Sequence, residues 1–215
     1  MGVGVGVAWA SVATTLFMLA LYEVALLLLQ RHHPKRVARA AHAALREDWF
    51  LAVSTEKGSE ILAVQTLRNS LMSATMLAAT AALALMGTVT LAAPSLHVIS
   101  GDLNGVMPIS YRLVLELVLL TLLLASLVST LMAVRCYNHA SFIGGMPVSS
   151  NSRDRWTPVG VRYVRNAGSL DGFGLRQLIL VAPIIAAMIH PLAGPLAAAL
   201  VAVVLILFDR AARTI

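Results

Sequence analysis

Residues 7–29 read VAWASVATTLFMLALYEVALLLL, with Glu23 as the one charged side chain. At 1.5 Å of rise per residue, a helix over this run is roughly 35 Å long, enough to cross a hydrocarbon core of ~30 Å with some tilt. The residues before it lack a basic segment, and the run is longer than the apolar region of a secretion signal. It is therefore expected to be a retained span. Cations and a proline close it at Gln30-Arg31-His32-His33-Pro34-Lys35-Arg36.

Three further apolar runs follow. The second extends over about 61–92, with Pro94 marking its end, and Ser70, Ala74, Ala78 and Ala82 recur along it at four-residue spacing. Small residues in that spacing let membrane helices approach closely. The third covers Tyr111–Val134 and ends at Arg135. The last, Leu175–Phe208, would be roughly 50 Å long as one helix, too long for a single span. His190-Pro191-Leu192-Ala193-Gly194-Pro195 interrupts it, and two prolines with a glycine favour a turn. A helical hairpin broken at Pro191–Pro195 is the expectation, with a single kinked span as the alternative. The fold class that follows is all-α: a polytopic transmembrane helix bundle of four to five spans. These lie at about 7–29, 61–92, 111–134, 171–190 and 195–213, in one transmembrane domain over residues 1–215.

Composition supports the same class. Hydrophobic residues make up 59% of the 215-residue chain and charged residues 12%, against about 25% charged in soluble domains. Lipid must solvate much of such a surface. The net charge is +6, but most of the basic residues sit between apolar runs. Arg31, Lys35, Arg36, Arg39, Arg46 and Lys57 lie in one connector; Arg135, Arg153, Arg155, Arg162, Arg165 and Arg176 lie in or beside another; residues 94–110 hold no Lys or Arg. That asymmetry is the positive-inside pattern of membrane topology and excludes a nucleic-acid-binding surface. It makes loops 31–60 and 135–170 cytoplasmic and 94–110 external. Ala38–Leu51 is expected to form an amphipathic helix with Trp49-Phe50 at the headgroup level, and 140–174 a polar interfacial loop. Abundant Ala and Arg with scarce Lys point to a bacterial cytoplasmic membrane. Cys136 is the single cysteine, so no intrachain disulfide forms.

The segment Leu62-Ala63-Val64-Gln65-Thr66-Leu67-Arg68-Asn69-Ser70-Leu71-Met72-Ser73-Ala74-Thr75 resembles the signature of the domain of unknown function 599 family, small membrane proteins of bacteria and plants. Arg135 with Tyr137-Asn138-His139-Ala140-Ser141-Phe142 is similar to the bacterial form of its second motif. Gly174-Leu175-Arg176, Ala182-Pro183 and Gly194-Pro195 are similar to its C-terminal pattern, with Ala193 standing where relatives place an aromatic. The resemblance covers roughly residues 50–210. It implies the architecture and carries no biochemistry.

Charged groups inside spans are costly and normally have partners. Glu23 and Arg68 each lie about two turns from the cytoplasmic ends of their spans, so a Glu23–Arg68 pair is expected, either as a packing strut or as a gate or proton site. By that pairing, Arg68→Ala should destabilise the protein more than Arg153→Ala. Gln65, Arg68 and Asn69 share one turn, and Arg135, Asn138 and His139 close the third span on the same face. Together they would form a polar, positive vestibule able to hold an anionic headgroup or solute. The competing reading is loop anchoring at helix ends. Arg112 and Glu116, four apart, explain each other as an ion pair.

His190 lacks a second ligand at telling spacing, and adjacent His32-His33 is a weak metal lead. No metal, cofactor or catalytic residue is therefore assigned. G-x-S-x-G, H-E-x-x-H and Walker motifs are absent from the sequence, and the chain is not expected to be an enzyme. It is expected to be a structural or accessory, oligomer-forming membrane subunit, partnered by the lipid bilayer and by copies of itself or a larger complex. The alternative is a small oligomeric channel or transporter with a polar cytoplasmic vestibule.

Overall fold

The structure, a computed structural model, describes residues 2–32, 38–101 and 110–211. They form six helices: α1 (Gly2–His32), α2 (Ala38–Thr55), α3 (Glu60–Gly101), α4 (Tyr111–Gly144), α5 (Asn151–Ile189) and α6 (Ala193–Ala211). Four of these, over Gly4–Leu29, Glu60–Pro94, Tyr111–Gly144 and Asn151–Ile189, are long and apolar enough to cross a bilayer. The chain is an all-helical, multi-pass membrane protein.

One expectation from sequence is overturned. Residues 135–170 are not a loop: α4 continues to Gly144, and α5 starts at Asn151, where the Ser150 hydroxyl accepts from the Arg153 N–H at 3.2 Å. The polar character of this stretch is amphipathic. Tyr137, Ala140 and Gly144, then Gly160, Val164, Ala167 and Gly168, are buried at helical spacing, while Asn138, His139, Phe142, Arg162, Arg165 and Asn166 face outward. Nor does the second helix stop with its apolar run: the spanning segment ends at Pro94 as expected, but α3 passes through that proline to Gly101. The amphipathic helix expected within 31–60 is present as α2, which runs from Ala38 to Thr55. The cationic stop at 33–37 and the turn residues at 102–109 lie outside the described residues.

Helix lengths divide the bundle into two storeys. At 1.5 Å per residue the 42 residues of α3 and the 39 of α5 make rods of roughly 63 and 58 Å, about twice the ~30 Å hydrocarbon thickness. The first storey joins α1, α6, the first half of α4 and the second half of α5 around Val12, Leu119, Leu123, Leu180 and Ile184. The second, at the arginine-rich end, packs Phe50 of α2 with Leu67 and Ala74 of α3, Ala133 and Tyr137 of α4, and Val164 of α5.

Glycines set the closeness of these contacts. A Cβ at Gly174 would lie 2.5 Å from Thr130 Cγ2, and the Ser126 hydroxyl donates to the Gly174 carbonyl at 2.8 Å. A Cβ at Gly160 would lie 2.6 Å from Cζ of the fully buried Phe50. After Ile189 the chain turns through residues 190–192, with the Ala193 N–H donating to the His190 carbonyl at 2.8 Å, and α6 packs back on α5.

Candidate functional site

Of the residues singled out from sequence, Glu23 stands apart from Arg68 and the others lie on open surface. Gln65, Arg68, Asn69, Arg135, Asn138 and His139 are all exposed on the outer surface of α3 and α4. Among the described residues none forms an ion pair. His139 stacks on Tyr163 of α5 with ring centroids 5.2 Å apart. Glu23 and Arg68 are separated: among the described residues α1 packs on α4, α5 and α6 and not on α3. The partner of Glu23 is Gln177, whose side-chain amide donates to its carboxylate at 3.4 Å. The Arg112–Glu116 pair forms at 3.2 Å, as the four-residue spacing requires.

The structure instead builds three polar centres. The first is Arg153, fully buried in the first turn of α5. Its guanidinium donates to the Ile143 carbonyl in the last turn of α4, to the Ser54 hydroxyl at 3.0 Å and to the Val53 carbonyl at 3.5 Å, and it lies 5.6 Å from the centre of the Phe50 ring. Carbonyls in the last turn of a helix have no intrahelical donor, and a cation is favourable there. Beside it Glu60 accepts from the Val148 N–H at 3.1 Å. Arg153 thus ties α2, α4 and α5 into one block.

The second centre lies between α1, α5 and α6. Arg176 pairs with Asp209 at 3.4 Å and sits 5.7 Å from the Tyr22 ring centre. Tyr22 and Asp209 also border a cavity of about 570 Å³ whose other walls include Met18, Leu21, Leu26 and Ile206. The third lies beneath α2, where Arg46, Trp49, Thr66, Ser70 and Tyr137 line a cavity of about 290 Å³. Glu47, next to Arg46, is engaged by Arg165 at 3.4 Å.

Sequence reasoning missed Arg46, Arg153, Gln177 and Asp209. For Arg153 a signal was present: Ser150 three residues ahead of it is a helix-start pattern, which would have placed it in a first turn beside an incoming helix end. Arg46 carried a fainter one, Gly168, a gap on α5 that only the tertiary arrangement assigns to it.

Residues 10–214 match the model of a family described as "Protein of unknown function, DUF599". No curated protein and no solved structure matches the chain.

Proposed function

This chain belongs to the DUF599 family, and on that footing we propose that it is an oligomer-forming, non-catalytic subunit of the bacterial cytoplasmic membrane that docks through the outer face of α3. One observation carries the reading. α3 rests chiefly on α4, and its opposite side is a continuous stripe at helical spacing: Gln65, Arg68 and Asn69, then Met72, Met76, Leu83 and Met86, all exposed. The polar head of the stripe lies at the arginine-rich end and its unbranched, adaptable methionines lie at membrane depth.

The small-residue ridge is not the docking face. Ala74 and Ala78 are buried, and Ala74 joins Ala133 and Ala140 of α4 in one core cluster. The close approach it permits is therefore used within the chain.

Cysteine crosslinking in native membranes tests the proposal. Met76→Cys, in a chain carrying Cys136→Ser, should give a disulfide-linked species under mild oxidation, whereas Leu200→Cys on exposed α6 should not. Absence of any Met76→Cys adduct, together with a lone monomer in mild detergent, would refute it. The alternative channel or transporter reading needs Glu23 and Arg68 along one wet path. Its weakness is that Glu23 turns to Gln177, away from α3.

A further inference from the structure

We propose that the cavity beneath α2 is a binding site for a phosphodiester group, held by Arg46. The site does not depend on the α3 docking face.

Its position is built by the fold. Gly168 on α5 has no side chain where the Arg46 guanidinium rests, and a Cβ there would overlap it. The guanidinium is thus seated against helix backbone and beside a cavity of about 290 Å³, at the lower end of the range for small-ligand sites. Among the described residues Arg46 forms no ion pair and no side-chain hydrogen bond, although it is partly buried. A planar cation with unspent donors, partly withdrawn from water, matches the oxygens of a phosphate.

The other walls supply compatible groups. Tyr137 offers a hydroxyl, and beside it the Ser70 hydroxyl donates to the Thr66 carbonyl at 3.2 Å. The charges facing the site set its preference. Glu47 is already paired with Arg165. Asp171 lies near enough for the Arg46 charge to act on it, yet the two make no ion pair within 4.0 Å, and one Asp171 oxygen is buried without a partner. A carboxylate at that range opposes a dianion and tolerates a monoanion, which favours a phosphodiester over inorganic phosphate.

The cavity wall also points to where such a group comes from. Trp49 and Leu45, the latter 65% exposed, border it on the amphipathic α2. An aromatic and an exposed leucine on such a helix mark the headgroup level of a bilayer. A phospholipid headgroup is the expected occupant, and a soluble phosphodiester is the other source of the same chemistry.

The test uses the full chain, stripped of lipid in mild detergent, with thermal melting followed during titration by three probes: short-chain phosphatidylglycerol, short-chain diacylglycerol and inorganic phosphate. Phosphatidylglycerol should raise the melting temperature, diacylglycerol should not, and Arg46→Gln should weaken the phosphatidylglycerol effect at least tenfold, while Arg155→Gln on exposed surface leaves it unchanged. An Arg46-dependent rise with inorganic phosphate equal to that with lipid would overturn the preference for a phosphodiester. If Arg46→Gln does not fold, Gly168→Ala, which displaces the guanidinium, should produce the same loss. A diacylglycerol effect equal to that of phosphatidylglycerol, or binding indifferent to both substitutions, overturns the proposal.

Discussion

Replacing Arg153 should be the most damaging single arginine change in the described part of the chain. Arg153→Ala removes the guanidinium's hydrogen bonds to the Ile143 and Val53 carbonyls and the Ser54 hydroxyl, although each of these keeps a second partner in Met146, Ser59 and Phe50 respectively. A hydrogen bond contributes about 1 kcal/mol net, so losing three costs about 3 kcal/mol. The lost stacking on Phe50 adds about 1 kcal/mol at a desolvated site. For a chain of this size each kcal/mol shifts the melting temperature by about 2–4 °C, which gives a fall of roughly 8–16 °C.

Arg68→Ala is the contrast. Its side chain is exposed and has no ion-pair partner among the described residues, so its cost should stay within about 0.5 kcal/mol. That order reverses the one expected from sequence. Arg153→Lys keeps the charge but not the planar fork that reaches three acceptors, and should fall between them. Thermal melting of the three variants in one detergent decides the matter. If Arg153→Ala melts within about 2 °C of Arg68→Ala, the anchor described here does not hold the helices together.

Other outcomes follow from the packing and the charge pattern. Gly174→Ala puts a Cβ 2.5 Å from Thr130 Cγ2 and 3.1 Å from the Ser126 carbonyl oxygen. It should cost about 1–3 kcal/mol by overpacking, seen as a lower melting temperature. Gly172→Ala, two residues away in open space, should be neutral or stabilising by up to about 1 kcal/mol; equal losses in both variants would show that α4–α5 contact is not what Gly174 protects. A cysteine at Asn104 in a Cys136→Ser background should react with an impermeant label on intact cells. Reaction only after permeabilisation would invert the proposed orientation.

The helical membrane class was legible because apolar runs such as 7–29 and 111–134 leave a chain no other way to be solvated. The sequence was less legible wherever polarity had two meanings. The stretch from Arg135 to Leu170 is as polar as a loop, yet its buried residues repeat at helical spacing and continue two long helices past the apolar zone. The candidate site failed for a related reason. Counting turns from an assumed span end does not fix depth: Glu23 lies beside Leu122 and Gln177 in the first storey, whereas Arg68 follows Leu67, which packs against Gly144 in the second, and among the described residues α1 and α3 share no interface. Arg153 and Arg46 were read as surface cations because burying a guanidinium requires acceptors or a backbone recess from distant segments, and no local pattern announces those.

α5 has a consequence beyond its length. Val164 and Ala167 belong to one core, while Leu180, Ile184 and Ala187 on the same helix belong to the other. A single unbroken shaft therefore supports both halves, and neither can lose its packing without loosening the other. Heating should produce one sharp transition, with amide exchange in the buried turns of both halves released together.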